Sequence, residues 1–409
     1  MRKIFNSIDI GSYEIKIVTV EYYNNKYNIL ASASVPSLGV KEGLILEPNQ
    51  VASQLKKAVK QIENKLGTKI DKTIAIIPSN DLSLTIASSK INLPSEKEVD
   101  GEIIFSGLQK TIKGNIELGY EVVNVFPIEY RIDNKKIVNP INKQGNELEI
   151  KGLIAMVPKQ NIYSVVSVIE SLGIEVMDIL ISSFGNYSSI KNKEMDARVV
   201  GIVDIGEEKT VISVMNKGII IKESIIPLGT RQITSAISFN YKLNEKDSDK
   251  IKNCFAVANR KYADGEEIYN IKDRNNISIN INQYNLAEII EKEIVNILKN
   301  VKNEIKNLTN REIGYIMITG GITNLLGFNA LVEDQFIRNA GVINLGVVGI
   351  RDNKYSASFG AVKYFVNKLN LREKEYTMFD EEKINEMLAT RKKVGASSAL
   401  GRIFEKFFD

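Results

Sequence analysis

Two segments of this chain place an aspartate and a glycine at the turn between two apolar strands. The first is SIDIGSYEIKIVTV, from Ser7 to Val20, and the second is VGIVDIGEEKTVISVM, from Val200 to Met215. In each segment a buried strand ends on an Asp, and the next Gly lets the backbone turn sharply into a returning strand. The chemistry available at such a turn is that of a carboxylate and of backbone that a ligand can approach closely.

The rest of the composition narrows that chemistry further. The chain has 409 residues, no histidine and one cysteine, Cys254. Disulfides, zinc clusters and histidine-based triads are therefore excluded, and only carboxylates, lysines, hydroxyls and backbone amides remain. The 54 basic and 50 acidic residues nearly balance, and no long basic stretch is present, so we expect no nucleic-acid partner. No signal peptide is visible and no apolar run approaches the roughly 18 residues of a membrane span, which favours a cytoplasmic protein.

The elements around the two turns repeat as well. Each hairpin is followed by another short strand and by a proline turn, Pro36-Ser37-Leu38-Gly39 after the first and Pro227-Leu228-Gly229 after the second. This internal repeat predicts a duplicated fold, with the two Asp-x-Gly loops facing each other across a cleft. A third turn, Gly320-Gly321, follows a buried strand and is another place where backbone can approach a ligand.

Periodicity assigns the remaining chain to an α/β protein with one insertion. Helical spacing from Asn49 to Leu66 and the apolar run from Lys72 to Pro78 predict helices packed on a mixed sheet. Between Asn80 and Lys159, alternating strands surround an amphipathic helix that starts near Pro94 and Ser95, which predicts a small inserted α+β subdomain.

The composition changes near the end of the chain. After Leu371 the sequence becomes charged and poor in core residues, which predicts a tether. The pattern of the last residues predicts an amphipathic helix, because at ~100° per residue the apolar side chains would fall within roughly 140°: Leu400, Ile403, Phe404, Phe407 and Phe408. An isolated helix this short is marginal in water, so it needs a partner. The basic Arg391-Lys392-Lys393 upstream favours anionic membrane lipids, and docking on its own domain or on a partner protein is the alternative.

Together these features resemble the actin, Hsp70 and sugar-kinase superfamily, and within it the FtsA family of bacterial division actins. The resemblance to FtsA is carried by the paired hairpins, the terminal helix and a set of short motifs: Phe126-Pro127-Ile128-Glu129-Tyr130, Asn139-Pro140, residues 145–149, Ile226-Pro227, Lys250-Ile251-Lys252 and Thr319-Gly320-Gly321. It implies a two-lobed, duplicated ribonuclease-H-like fold with an inserted subdomain and a C-terminal amphipathic helix.

The resemblance also implies domain boundaries, with the helices at Ser182 to Asn192 and Ser358 to Leu369 joining the lobes. The expected parts are the lobe I core (1–81 and 160–197), the insert (82–159), the lobe II core (198–241 and 312–371), a second subdomain of lobe II (242–311), a charged linker (372–397) and the membrane-binding helix (398–409).

By the same resemblance, the two hairpins would hold ATP or ADP with Mg²⁺. Asp9 and Asp204 would bind the metal through water, and the other nucleotide contacts would be Gly11, Ser12, Lys16, Gly206, Asp249, Lys252, Gly320 and Gly321. Asp249 and Lys252 would lie near the ribose, and Gly11, Ser12 and Gly206 would offer backbone donors to phosphates. The acidic tail of the tubulin-like protein FtsZ would contact the solvent-exposed face of the long helix, which carries Lys292, Lys299, Lys302 and Lys306.

One position departs from the family pattern. Where FtsA-like proteins continue the second hairpin with further glycines, this chain has Glu207, Glu208 and Lys209, with Val211 in place of a second Asp. Two carboxylates beside a triphosphate would cost several kcal/mol unless a cation compensates. Three outcomes stay open: the glutamates turn away and ATP binds, the site holds ADP or nothing, or they form an altered hydrolytic site.

The implied function is a scaffold rather than an enzyme. It would polymerise, bind FtsZ and other division proteins, and tether FtsZ filaments to the cytoplasmic side of the membrane at the septum, with weak ATPase activity at most. The alternatives are an ATP-dependent enzyme of the same superfamily and an actin-like component of pilus assembly.

Overall fold

The structure is a computed structural model that describes residues 2–93, 98–336 and 339–387. Within these residues the chain forms two compact units. Unit 1 contains the chain up to Gly185, the segment Gly346–Ile350 and the described residues from Ser358 onward. Unit 2 contains Asn186–Leu345 and Arg351–Ala357.

Unit 1 is built from eleven described strands and three helices that lie wholly before Gly185. The strands are β1 (Lys3–Ile10), β2 (Glu14–Tyr23), β3 (Lys26–Pro36), β4 (Val40–Lys41), β5 (Leu44–Ile45), β6 (Lys72–Ile77), β7 (Ser83–Asn92), β8 (Tyr120–Ile132), β9 (Lys135–Ile137), β10 (Glu147–Pro158) and β11 (Glu175–Ile181). The helices are α1 (Pro48–Leu66), α2 (Gly101–Ile112) and α3 (Lys159–Glu170), and α4 (Ser182–Ile190) begins here and ends in unit 2.

The main sheet of unit 1 has the strand order β11-β6-β1-β2-β3. Its centre, β1, pairs antiparallel with β2 and parallel with β6, and it is buried from Ile4 to Ile10. Helix α1 begins with Pro48 in its first turn and ends at Gly67 in the left-handed conformation (φ 77°), which only a residue without Cβ adopts easily.

The insert predicted from the alternating strands is present in unit 1. Its own sheet has the order β7-β10-β8-β9, and α2 packs on one face of that sheet. The Asp100 side chain accepts a hydrogen bond from Ile103 N and caps α2, so the helix begins at Gly101 rather than near Pro94 and Ser95, which lie outside the described residues. The apolar core of the insert consists of Leu93, Val99, Ile104, Ile132, Leu148 and Ile150.

Unit 2 repeats the architecture of the main sheet. Its strands are β12 (Val199–Ile205), β13 (Thr210–Asn216), β14 (Ile219–Ile226), β15 (Ile268–Lys272), β16 (Ser278–Asn282), β17 (Tyr315–Thr319) and β18 (Ala340–Val342). Its helices are α5 (Lys193–Asp196), α6 (Arg231–Tyr241), α7 (Glu245–Cys254), α8 (Gln283–Leu308) and α9 (Phe328–Phe336). The order β18-β17-β12-β13-β14 matches that of unit 1 strand for strand, with the same parallel and antiparallel pairs. The duplication predicted from the repeated hairpins is therefore present in the fold.

The units differ from the predicted lobes at the two helices expected to join them. From Ser358 onward, helix α10 (Ser356–Leu371) belongs to unit 1, not to the lobe II core of residues 312–371. The Ser7 hydroxyl donates to Ser358 O at 2.9 Å, and the Phe5 and Phe365 rings pack edge to face at 5.6 Å. Conversely, residues 186–197, expected in the lobe I core of 160–197, belong to unit 2.

The structure also differs from the prediction of a charged linker from Arg372 onward, because the first part of this segment is packed on unit 1. Met378 N donates to Ile4 O at 3.0 Å, and Met378, Phe379 and Met387 are buried. Residues 381–387 are helical, and Asp380 caps them by accepting from Lys383 N. The buried apolar side chains of this segment are few and stand among charged residues, which is why composition alone predicted a tether.

The remaining part of the predicted linker and the terminal helix with Leu400, Ile403, Phe404, Phe407 and Phe408 lie outside the described residues. Among residues that the structure describes, no helix combines the length and the apolar character needed to cross a membrane.

Candidate functional site

Hairpin 1 consists of β1, β2 and the turn between them. Asp9 stands next to the end of β1, and its cross-strand neighbour on β2 is Lys16, whose Nζ lies 2.7 Å from Asp9 Oδ2. Both side chains are less than a fifth exposed, at 12% for Asp9 and 16% for Lys16. Gly11 N donates to Glu14 O at 3.1 Å and closes the turn. Lys16 thus neutralises the carboxylate from within its own hairpin.

The hydroxyl of Ser12 ties this turn to a neighbouring loop. Ser12 Oγ accepts a hydrogen bond from Gly43 N at 2.8 Å. Gly43 lies in the turn between β4 and β5 with a φ of 80°, so the serine fixes a loop that has no long strand to hold it.

Hairpin 2 consists of β12, β13 and the turn between them, and its backbone turn is the same. Gly206 N donates to Lys209 O at 3.0 Å, which corresponds to the bond from Gly11 N to Glu14 O. The aspartate is held differently, because its cross-strand neighbour is Val211. Asp204 Oδ2 instead accepts from Asn186 Nδ2 on α4, at 2.9 Å.

Asn186 belongs to a buried chain of hydrogen bonds beneath hairpin 2. Asn186 Oδ1 accepts from Ser356 Oγ at 2.5 Å, and Ser356 Oγ lies 2.8 Å from Thr319 Oγ1. Thr319 Oγ1, at the end of β17, also donates to Asn353 O at 3.0 Å. Since a buried polar group is costly without a partner, this chain fixes the amide that holds Asp204.

Tyr187, the next residue on α4, is also held in place by a hydrogen bond. The Tyr187 hydroxyl donates to Asp196 Oδ1. Burial raises the pKa of the Tyr187 phenol, and the hydrogen bond to Asp196 raises it further, so the phenol stays neutral and remains a donor at physiological pH.

The Gly320-Gly321 turn follows β17, and its two glycines have different roles. Gly320 has a φ of 108°, and a Cβ there would lie 2.3 Å from Ile205 O at the end of β12. Gly320 is therefore required by close backbone packing. A Cβ at Gly321 would meet no atom within 4 Å, so the backbone at Gly321 stands in open space where a ligand can approach.

The turn of hairpin 2 abuts the start of α6. Thr230 N donates to Gly206 O at 2.9 Å, and Arg231 N donates to Glu207 O at 2.8 Å. Gly229 makes this approach possible, because a Cβ there would lie 2.5 Å from Glu207 O.

The side chains of Glu207 and Glu208 are mostly buried and engaged in ion pairs. Glu207 Oε2 accepts from Thr230 Oγ1 at 2.8 Å and lies 3.5 Å from Lys252 Nζ. Glu208 Oε1 lies 3.3 Å from Arg231 Nη1. Each glutamate side chain is only 10% exposed. The two glutamates therefore connect the turn to α6 and α7.

Lys252, on α7, is the most buried cation of this group, at 5% exposure. Its Nζ donates to Thr234 Oγ1 at 2.8 Å and lies 2.7 Å from Asp249 Oδ1, one turn earlier on the same helix. We call Glu207, Glu208, Arg231, Asp249 and Lys252 the ion cluster.

The structure shows partners for three groups of residues that were predicted to contact a nucleotide. Gly11 and Gly206 were predicted to offer backbone N–H donors to phosphates, but both amides close their own turns because the Asp-x-Gly geometry brings a carbonyl within reach. Asp249 and Lys252 were predicted near a ribose, but the structure pairs them with each other, since a buried ammonium needs a nearby anion. Ser12 contributes its hydroxyl to Gly43.

The donor set of unit 2 fits a nucleotide at two points and disagrees with it at a third. The open backbone at Gly321 and the carboxylate of Asp204, held in place by Asn186, suit a ligand with a magnesium-bound phosphate. The ammonium of Lys252, in contrast, is already matched by the carboxylates of Glu207 and Asp249.

The lysines predicted to meet an acidic peptide lie on α8. Lys292, Lys299 and Lys306 are exposed. Lys302 is half-buried and donates to Gln335 O at 2.7 Å, so it ties α8 to α9. Three of the four are thus on the solvent face.

The residues missed from the sequence are polar side chains that act at a distance along the chain: Asn186, Thr230, Arg231, Thr234 and Ser356. Only Thr230 and Arg231 carried a local signal, because they follow the Pro227-Leu228-Gly229 turn that repeats the first one.

Two family models match the chain. The model for the type IV pilus assembly protein PilM matches residues 7–264, which is more than half of the chain, and the model for the cell division protein FtsA matches residues 201–360. Because it matches more than half of the chain, the PilM model shows that this chain belongs to the PilM family.

Curated relatives to which the chain is similar are cell division proteins FtsA. The FtsA of Bacillus subtilis (strain 168) is 25% identical over 366 residues, which cover 88% of this chain and 83% of the relative. The FtsA of Streptococcus pneumoniae serotype 2 (strain D39) is 24% identical over 356 residues, covering 86% and 78%. The resemblance to FtsA predicted from the sequence is confirmed.

Solved structures share the fold. The PilM-PilN type IV pilus biogenesis complex aligns with a TM-score of 0.59 at 14% identity, over 90% of this chain and 99% of that chain. MreB5 of Spiroplasma citri bound to ADP aligns with a TM-score of 0.54 at 11% identity, over 91% and 99%. At these identities the likeness shows the fold alone, and it confirms the predicted two-lobed actin-like class.

Proposed function

We propose that this chain is an actin-like scaffold of bacterial cell division that polymerises and holds FtsZ filaments at the cytoplasmic face of the membrane, at the septum. The observation that carries the proposal is the match to FtsA relatives, which runs over 88% of the chain and therefore spans both units and the insert. The neighbours include a double helical filament of MamK and MreB5 bound to ADP, which supports self-association and a nucleotide ligand.

ATP or ADP with Mg²⁺ is the proposed ligand of the two hairpins. Asp9 and Asp204 would hold the metal through water, and Gly321 would leave room for the nucleotide beside the backbone. When bound, the nucleotide would supply the charge that couples each hairpin to assembly. With Glu207 and Glu208 inside the turn of hairpin 2, we expect slow hydrolysis and a structural role for the ligand.

The membrane part of the proposal rests on the sequence of residues 398–409. A single helix of this size binds lipid weakly, so polymerisation would raise the apparent affinity by presenting many helices at once. FtsZ would bind through its acidic tail to exposed lysines of α8: Lys292, Lys299 and Lys306.

Sedimentation of the full chain with vesicles of phosphatidylglycerol and phosphatidylethanolamine tests this role. We expect Phe404→Glu with Phe407→Glu to reduce the bound fraction at least about tenfold, because two charges enter the apolar face. A control with the same added charge, Leu118→Glu with Val348→Glu, changes side chains that are 102% and 92% exposed and should bind as the wild type does. Unchanged binding of the tail variant would refute membrane tethering.

A second candidate is a component of pilus assembly, which the PilM match over residues 7–264 favours. The two roles differ in partner. We expect immobilised chain to retain a peptide of the FtsZ C-terminal tail and not PilN, the partner in the solved PilM-PilN complex. Retention of PilN alone would favour the pilus role.

A further inference from the structure

The solvent face of helix α1 in unit 1 is basic. Helix α1 packs on β2 and β3. At ~100° per residue, three lysines fall within an arc of roughly 100° on the side away from the sheet. They are Lys56, Lys57 and Lys60, all of them exposed, and we call them the α1 lysines. The other exposed residues of this face are uncharged: Gln50, Ser53, Gln61 and Asn64.

The α1 lysines have no carboxylate partner on their own helix. Glu63 is the one acidic residue of α1, and it is half-buried, with its Oε1 accepting from Ile70 N at 3.2 Å. Lys57 Nζ donates to the uncharged amide oxygen of Gln54 at 3.2 Å. Among the residues that the structure describes, none forms an ion pair with the α1 lysines. Their charges therefore face solvent without a counter-ion from this part of the chain.

The last described residues lie at the C-terminal end of α1. Ile384 and Met387 line one small cavity together with Lys65 and Leu66, the last two residues of the helix. Lys383 pairs with Asp71, which lies between α1 and β6, so the carboxylate at this end of the helix already has a cation. Met387 therefore lies beside α1.

Covalent geometry keeps the basic residues that follow close to this end of α1. Arg391 is four residues after Met387 and is followed by Lys392 and Lys393. A chain of that length spans at most about 14 Å, so the basic triplet begins within that distance of Met387. Leu400, the first residue proposed to bind lipid, is 13 residues after Met387, which bounds its distance at about 45 Å.

A membrane bound by the last residues would therefore lie within reach of the α1 lysines. One short apolar segment gives only marginal, reversible membrane binding, and stable attachment takes a second signal such as a group of basic residues. Lysines near an anionic lipid surface supply that signal, because each is attracted by the negative surface potential.

We propose that the α1 lysines contact the anionic headgroups of the membrane to which the end of the chain binds. This contact rests on the proposed membrane tether and assigns it a second site, in unit 1. The last residues supply the apolar part of the attachment, and the α1 lysines hold the face of unit 1 that carries α1 against the lipid.

Sedimentation of the full chain with vesicles of equal parts phosphatidylglycerol and phosphatidylethanolamine tests the contact. The variant Lys56→Gln with Lys57→Gln and Lys60→Gln removes the three charges and keeps polar side chains. We expect its apparent Kd for lipid to rise about tenfold or more at low salt. At about 1 M salt the charges are screened, and the variant and the wild type should then differ by less than about threefold.

The matched control removes three charges from exposed positions on the insert of the same unit, away from Met387: Lys110→Gln, Lys113→Gln and Lys143→Gln. Its apparent Kd at low salt should stay within about threefold of the wild type, because surface attraction falls off within a Debye length of roughly 10 Å. Circular dichroism and thermal unfolding of each variant would establish that it is folded.

A fluorescent label tests whether α1 itself touches lipid. In a Cys254→Ser background, which removes the one cysteine of the chain, the label is attached at Ser53→Cys on α1. The control is Ser106→Cys on α2, another exposed serine on a helix. Lipids that carry a nitroxide on the headgroup should quench the label on α1 and leave the label on α2 nearly unchanged.

The outcomes separate this contact from the tether itself. If the wild type binds vesicles and the α1 variant binds as tightly, or if both triple variants weaken binding equally, the contact is refuted, while Phe404→Glu with Phe407→Glu still decides the tether. A weaker α1 variant without quenching of the label on α1 would assign the lysines to an acidic protein surface and also refute the lipid contact. If the wild type binds no vesicles, the contact and the tether are both wrong.

Discussion

In hairpin 1 the Asp9 carboxylate is matched by a lysine on its own returning strand, whereas in hairpin 2 the Asp204 carboxylate is held by an amide from α4. The backbone turns are nevertheless alike, with closing bonds of 3.1 Å at Gly11 and 3.0 Å at Gly206. The turn geometry follows from local sequence, while the electrostatic environment of each aspartate depends on what packs around it.

The position after each glycine differs in the same way. Ser12 in hairpin 1 holds a loop through an uncharged hydroxyl, and Glu207 in hairpin 2 holds α6 and α7 through its charge. Duplication supplied two copies of one backbone, and the residues around them give the copies separate roles.

Each hairpin lies beside a parallel strand, and we expect the largest difference in stability between the two units from substitutions just after those strands. In unit 2, β17 is followed by Gly320, whereas in unit 1 the corresponding β6 is followed by Pro78 and Ser79. Gly320→Ala would place a Cβ 2.3 Å from Ile205 O at a φ of 108°. We expect it to lower the free energy of unfolding by about 3 to 4 kcal/mol, because the strain is added to a clash with backbone.

Urea unfolding followed by circular dichroism measures this loss. The control is Ser79→Ala in unit 1, where a Cβ is already accommodated and the change should stay within about 1 kcal/mol. A Gly320→Ala variant as stable as the wild type would show that the two strand ends are equivalent.

We expect smaller losses of stability when the partners of the two aspartates are removed, and the two losses should differ. Asn186→Ala removes the donor to the half-buried Asp204 and the acceptor for the buried Ser356, and we expect the free energy of unfolding to fall by about 2 to 3 kcal/mol. Lys16→Met removes the cation beside Asp9 but keeps the apolar stem, and since that pair is partly exposed the loss should be about 1 to 2 kcal/mol.

Repeating the unfolding measurement on Lys16→Met in an Asp9→Asn background tests whether Lys16 acts through its charge. If Lys16 acts by neutralising Asp9, the loss from Lys16→Met should shrink when Asp9 is uncharged. An equal loss in both backgrounds would mean that Lys16 stabilises the hairpin by packing and not by charge.

The parts of this comparison that could be predicted from the sequence are the local ones. The hairpins, their repetition and the insert follow from alternation, apolar runs and glycine turns, each of which spans a few residues. The matching strand orders of the two sheets follow from the same repeat.

The parts that could not be predicted depend on distant partners. Helix α10 has an apolar face that either sheet could bury, and its contacts with β1, the packing of Phe365 on Phe5 and the hydrogen bond from Ser7 to Ser358, place it in unit 1. Asn186 is one polar residue in a mostly buried helix, without a local pattern that points to Asp204. The sequence predicted that Glu207 and Glu208 need a compensating cation. It did not predict that Lys252 and Arg231, from later elements, supply the positive charge.

The smallest expected effect concerns Ser12, the counterpart of Glu207 in hairpin 1. Ser12→Ala removes the acceptor for Gly43 N, and we expect a loss of about 0.5 to 1.5 kcal/mol together with faster hydrogen exchange at the Gly43 amide. Hydrogen–deuterium exchange measured by mass spectrometry on the peptide that contains β4 and β5 would detect the change directly. Ser12→Thr keeps a hydroxyl and should restore most of the protection. If exchange at Gly43 is unchanged in Ser12→Ala, the loop is held by other contacts, and hairpin 1 then anchors its neighbour far less than hairpin 2 does, where Glu207 links the turn to two helices.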